Sequence, residues 1–217
     1  MMKNTFVAML AVVGAMEMQA APAKPLFVET FEKAALEKVP EGMLVLDGEF
    51  AVKAEGGNKF LELPGAPLET FGVLFGPSQA ADVTVAARIH GTGKGRRFPV
   101  FGVGLNGVGG YRLQVAPAKK MLDLYKGEDL KVSVPLAWES GKWTHLRLSI
   151  RSLNSGGLAV VGKAWQEGAP EPAAWAIQHT EAEASPAGRA SIWGNPFSGT
   201  PIRFDDLSLT PADKIGK

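Results

Sequence analysis

Apolar and polar residues alternate along most of this chain, and turn-forming residues interrupt the alternation every few positions. No other feature of the sequence limits its fold as much. In Trp143-Thr144-His145-Leu146-Arg147-Leu148-Ser149-Ile150-Arg151, Leu146, Leu148 and Ile150 fall on one side and His145, Arg147 and Ser149 on the other. That is the period of a strand with one face on a core and one in water. The same phase turns Tyr111, Leu113 and Val115 inward, with Arg112 and Gln114 outward. It also turns Leu122 and Leu124 inward, with Asp123 and Tyr125 outward. Further strands are expected at 26–31, 43–46, 49–53, 59–63, 71–75, 82–90, 98–105, 130–134, 158–165, 189–193 and 203–210. Only Glu32–Lys38 and Glu181–Ala184 read as helical, and both are short; Glu181-Ala182-Glu183 also fits a solvated turn. About a dozen strands with almost no helix predict an all-β chain, a jelly-roll β-sandwich of two antiparallel sheets.

Turn chemistry sharpens the picture. Asp47-Gly48 between apolar flanks reads as a two-residue hairpin turn. Ala116-Pro117-Ala118-Lys119-Lys120 closes a second hairpin, which sets Arg112 opposite Tyr125 and Gln114 opposite Asp123. Near the C-terminus, Ile202 and Phe204 keep one phase and Leu207 and Leu209 the other, so the phase switches across Asp205-Asp206. A β-bulge there returns both sets to the core. Two adjacent aspartates repel, and a cation is one resolution; a solvated pair beside Arg203 is the other.

Composition bounds the function. The chain has 217 residues, 46% hydrophobic and 21% charged, which suits one domain with a substantial core. Twenty-three Lys+Arg against 22 Asp+Glu leave a net charge of +1. That excludes a bulk electrostatic grip on nucleic acid and a polybasic membrane anchor. With no cysteine there is no disulfide, thiolate metal site, cysteine nucleophile or lipidated N-terminal cysteine. Residues 1–20 read as a secretory signal peptide: Lys3 is the basic start, Thr5 to Met16 is uncharged, and Met18-Gln19-Ala20 ends on a small residue. The uncharged run is shorter than the roughly 20 residues of a membrane span, and no later apolar run is long enough to make one. The expected organisation is this signal, a linker over 21–25, a sandwich over 26–210 and a tail over 211–217, in a secreted or periplasmic protein.

Nucleophile and metal signatures are missing. His90, His145 and His179 lie on separate segments, and there is no Gly-x-Ser-x-Gly elbow and no zinc-ligand spacing. Gly102-Val103-Gly104 and Gly107-Val108-Gly109-Gly110 lack the Lys-Ser/Thr of a phosphate loop and read as strand bends and a turn. Of the five Trp, Trp143, Trp165, Trp175 and Trp193 read as packing residues, the last covering one end of the sandwich. Tyr125 and Trp138 read as exposed. Tyr125 shares its outward face with Arg112, Gln114 and Asp123, so the candidate ligand site is Arg112, Gln114, Asp123, Tyr125 and Trp138.

The order of several short segments resembles the LamG-type domains of the concanavalin A-like lectin/glucanase superfamily. These are Val28-Glu29-Thr30-Phe31-Glu32, Leu46-Asp47-Gly48-Glu49-Phe50-Ala51-Val52, Gly110-Tyr111-Arg112-Leu113 and Gly141-Lys142-Trp143-Thr144-His145-Leu146-Arg147-Leu148. They continue with Lys163-Ala164-Trp165, Glu171-Pro172-Ala173-Ala174-Trp175 and Phe204-Asp205-Asp206-Leu207-Ser208-Leu209. The resemblance implies a secreted, non-catalytic module that binds a glycan or an extracellular protein. It also implies a structural calcium ion shared by Glu32 with Asp205 or Asp206. The Glu-x-Asp-x-(x)-Glu strand of the superfamily's family-16 hydrolases is absent. A carbohydrate-active hydrolase is therefore the alternative, and a purely structural or interaction domain the third reading.

Overall fold

A computed structural model describes residues 24–212; the expected signal segment and residues 213–217 lie outside the described residues. Fifteen strands follow one another: β1 (Phe27–Glu29), β2 (Leu44–Asp47), β3 (Ala51–Glu55), β4 (Asn58–Leu63), β5 (Phe71–Gln79), β6 (Val83–His90), β7 (Val100–Leu105) and β8 (Tyr111–Ala116), then β9 (Met121–Lys126), β10 (Asp129–Pro135), β11 (Trp143–Ser152), β12 (Leu158–Gln166), β13 (Ile177–Glu181), β14 (Gly188–Asn195) and β15 (Ile202–Pro211). A one-turn 3-10 helix at Pro117–Lys119 joins β8 to β9. No described helix is long and apolar enough to cross a membrane.

The strands form two antiparallel sheets. One has eight strands in the order β13-β12-β11-β6-β15-β4-β3, with β1 also on β15. The other has seven, in the order β10-β9-β8-β7-β14-β5-β2. Alternation is the cause: along β6, Val83, Val85, Ala87 and Ile89 are buried while the residues between them are half-exposed. The inner faces meet in one core that includes Phe31, Phe75, Phe101, Phe204 and Tyr111, as two apolar faces require. The all-β sandwich is as the sequence implies.

Some local expectations need correction. Asp47-Gly48 does not close a hairpin: β2 pairs with β5 and β3 with β4, so this turn carries the chain from one sheet to the other. Gly48 has φ +104°, and a Cβ there would sit 3.0 Å from the Phe50 and Phe71 side chains, so only glycine suits the crossing. Residues 32–38 form turns, not a helix. Glu181 ends β13, an edge strand the alternation did not reveal.

Glu181 also ties the two sheets together. Its Oε2 accepts from Tyr111 Oη (3.1 Å) and Lys126 Nζ (3.0 Å) of the opposite sheet, with His179 Nε2 3.5 Å away. Lys126 foremost holds the Glu181 carboxyl below its ordinary 4.5, while burial pushes the Tyr111 phenol up.

The bulge on β15 falls where the phase switch requires it. Pairing with β6 shifts between Asp205 and Ser208, Asp206 adopts φ 50°, and Phe204 and Leu207 are both fully buried. The bulge also divides β15 between two partners, since 202–204 pair with β4 and 207–209 with β1. The cation beside the aspartates is Arg88 of β6. Its Nη2 donates to Asp205 Oδ2 (2.7 Å), and its Nε lies 2.8 Å from Asp206 Oδ2. Asn58 Nδ2 also donates to Asp205 Oδ2 (2.9 Å), Asp206 N to Asp205 Oδ1 (2.7 Å), and Lys59 N to Glu32 Oε1 (3.1 Å). N–H donors thus occupy both Asp205 oxygens and one oxygen of Glu32, and Arg88 supplies the positive charge that a hard cation would bring. The donor set does not fit a calcium shared by Glu32 with Asp205 or Asp206. No group of three or more His, Cys, Asp or Glu among the described residues is disposed to hold a metal. Burial pushes the Asp205 carboxyl above its usual range despite these donors, as expected of a carboxylate 1% exposed.

Two stability measurements test these ties. Removing Arg88 strands a buried carboxylate, so Arg88→Leu should cost about 3 kcal/mol in chemical denaturation. Chelator at matched ionic strength should leave the melting curve in place; a chelator-induced drop would return the aspartates to a metal. Because the folded pKa of Glu181 lies below its unfolded value, its contribution is complete above pH 4.5 and is lost as pH falls through the lower folded value. Glu181→Gln should therefore flatten the acid limb in a melting series taken from neutral pH down through that range. A limb of unchanged slope would show that Glu181 makes no such contribution.

Candidate ligand groove

The outward side chains of the seven-stranded sheet form rows set by register. In one row Tyr125 lies opposite Arg112, Arg112 opposite Gly104, and Gly104 opposite Ser191. In the next, Asp123 faces Gln114, Gln114 faces Gly102, Gly102 faces Trp193, and Trp193 faces Gly72. The Arg112–Tyr125 and Gln114–Asp123 pairs are those expected from the hairpin. Glycines at 72, 102 and 104 leave the sheet low around β14, and the Trp193 indole fills part of that space. A Cβ on Gly72 would lie 2.6 Å from Trp193 Cε3, and one on Gly104 would lie 3.2 Å from Nε1. The indole therefore lies across its own strand, between the backbones of its two neighbours. Trp193 Nε1 donates to Ser191 Oγ at 2.7 Å, which fixes the ring.

Above this floor runs a groove of about 500 Å³. Arg112, Gln114 and Trp193 occupy its middle; Thr70, Phe98 and Phe197 lie toward one end, and Val108 and Glu128 toward the other. Phe197 is 44% and Val108 63% exposed, so the rim offers apolar surface to a ligand. Asn195 Nδ2 donates to Thr70 Oγ1 and links the β14 end to the start of β5. Arg112 Cζ lies 5.3 Å from the Tyr125 ring centre and 5.8 Å from that of Trp193, within reach of cation–π attraction.

The expected site residues divide. Arg112 and Gln114 line the groove, and Tyr125 braces Arg112 from the side. Asp123 lies on the same face but is 1% exposed, and its Oδ1 accepts from Ser133 Oγ at 2.5 Å. Trp138 is not brought to the cluster. It is half-buried against Phe98 and Phe101, with ring centres 6.3 Å from each. Trp193, expected to cover an end of the sandwich, is the central groove aromatic. The signal for it was present: Ala190 and Ile192 point inward, so Trp193 points out. The same phase turns Gly72, Gly102 and Gly104 outward beside it.

The outer face of the eight-stranded sheet is occupied by its own contacts. His145 stacks on Trp165 with centres 5.1 Å apart, and Arg88 covers Trp143 at 4.6 Å. Lys163, tied to Glu171 at 2.8 Å, lies 4.8 Å from the Trp175 ring centre. Trp165 and Trp175 thus pack against side chains of this sheet, as expected of packing residues. Burial foremost, with Arg88 adding to it, holds the His145 imidazole below its ordinary range; burial does the same for His90.

No protein-family profile matches the chain, and no curated protein sequence is significantly similar to it. Solved structures do share its fold. A Bacillus subtilis protein of unknown function with a galectin-like fold superposes with a TM-score of 0.61 at 8% identity, over 89% of this chain and 99% of that one. The carbohydrate binding module CBM66 from Bacillus subtilis gives 0.56 at 13% identity, over 78% and 95%. The Emp47p carbohydrate recognition domain gives 0.56 at 10%, over 90% and 99%. At these identities the likeness is one of architecture, and the architecture is the lectin-type, galectin-like β-sandwich, consistent with a concanavalin A-like fold.

Proposed function

We propose that this chain is an extracytoplasmic glycan-binding module with no catalytic chemistry of its own. The observation that carries the reading is the Trp193 indole laid on a glycine floor inside an open groove, with Arg112 and Gln114 beside it. A flat aromatic face takes the C–H face of a sugar ring, and the flanking polar groups take its hydroxyls. Two further supports are the carbohydrate-binding module and the lectin recognition domain that share the fold. The groove favours binding over hydrolysis because Glu128 is the single lining carboxylate among the described residues, whereas retaining cleavage needs two about 5–5.5 Å apart. The extracytoplasmic setting rests on the signal-like sequence of residues 1–20.

Immobilised polysaccharides should retard the protein in affinity electrophoresis without release of reducing ends. Trp193→Ala should weaken binding by about 2 kcal/mol, roughly thirtyfold. Gly72→Ala keeps the strand backbone but pushes the indole aside, so it should shift tryptophan fluorescence and weaken binding in step. Undiminished affinity in Trp193→Ala would remove the groove as the site. Rapid release of reducing sugar would replace binding with hydrolysis, and retention by protein ligands alone would favour the interaction reading.

A further inference from the structure

Arg112 is the odd arginine of this molecule. The other half-buried arginines all reach a protein oxygen: Arg88 at Asp205 and Asp206, Arg147 at Glu171, Arg189 at the Gly76 carbonyl, Arg203 at Glu62 and Arg151 at the Ser149 hydroxyl. Among the described residues Arg112 joins no ion pair and its side chain donates no hydrogen bond; its Nε is sealed from solvent without a partner. Two aromatic rings flank its guanidinium instead, 5.3 and 5.8 Å from their centres. The acid on the next row, Asp123, is turned to Ser133 and forms no ion pair with Arg112. A second cation, Lys119, also lines the groove and forms no ion pair among the described residues. Against these two stands one lining carboxylate among the described residues, Glu128.

A half-buried guanidinium without an oxygen partner is costly in the free protein, and its planar fork matches a carboxylate or a sulfate. We infer that the groove selects an acidic glycan, holding a uronate carboxylate or a sulfate ester on Arg112 while Trp193 carries the sugar ring. This rests on the glycan-binding reading and adds the charge of the ligand to it. The shared chemistry is a sugar bearing a planar or tetrahedral oxyanion. Lys119 extends the positive potential toward the Phe197 end, so a polymer with regularly spaced charges meets two cations along one groove. Tyr125 and Trp193 act as side walls that keep the guanidinium aimed outward.

The test pairs polymers that differ in charge alone: polygalacturonate against its carboxyl-reduced product, and dextran sulfate against dextran. The wild-type protein should bind at least one acidic member about tenfold or more tightly than its neutral partner, with affinity falling as salt rises. The pair that shows the preference tells carboxylate from sulfate. Arg112→Gln, with an unaltered melting curve, should erase the preference; Arg112→Lys should retain part of it; Lys53→Gln, an equal charge change on the other sheet, should leave it intact. Equal or tighter binding of the neutral polymers would overturn the acidic preference and leave the glycan reading standing. Failure to bind any of the four would overturn both. An acidic preference that survives Arg112→Gln at full strength would show general attraction, and the assignment to Arg112 would be wrong.

Discussion

The eight-stranded sheet depends on one out-of-register step, the bulge at Asp205 and Asp206. Strand β15 has β6 along one side, and it divides its other side between β4 and β1. Without the extra residue, either Phe204 or Leu207 would point to solvent, because a one-residue slip inverts every side chain beyond it. The step turns out an acidic group that must be neutralised. Arg88, from the strand alongside, does so and spreads over Trp143. Register, packing and charge are thus settled at one place.

Two guanidiniums on opposite faces illustrate how similar surroundings serve different ends. Arg88 and Arg112 both lie against indoles, and both sit near the middle of a sheet. Arg88 is paired with two carboxylates of its own chain, so its charge is spent within the fold. Arg112 is held by rings that donate no lone pair, so its N–H groups are left for something outside. The glycines at 72, 102 and 104 add to this difference. Glycine within a strand weakens it by removing packing, and here the lost packing is space that Trp193 partly occupies and a ligand can share.

Much of the architecture could be read from alternation, because a face that must be dry records itself at every second position. The β8–β9 register, the inward set of β11 and the bulge were all legible this way. The roles of the connections were not. Asp47-Gly48 has the chemistry of a tight turn, but nothing in those residues says whether the next strand joins the same sheet or crosses to the other. Strand β13 was missed because Ile177 is its only fully buried residue, as befits an edge. In the sequence Glu181 fits a solvated turn, because its partners, Tyr111 and Lys126, are distant along the chain. At the groove, the outward phase gave Arg112 and Gln114. The habit of tryptophan to pack hides Trp193, although its phase and its glycine neighbours argue for the open face. Trp138 erred the other way, because a loop residue carries no alternation to place it.

The pairing of β1 with β15 fixes how the sandwich can be presented. Leu26 N donates to Leu209 O at 2.8 Å, so the first and last described strands lie side by side. Both belong to the sheet whose outer face is already filled with its own contacts, while the groove opens on the other sheet. A group attached beside β1 or β15 therefore lies on the sheet opposite the groove, and its orientation relative to the groove follows from the strand order.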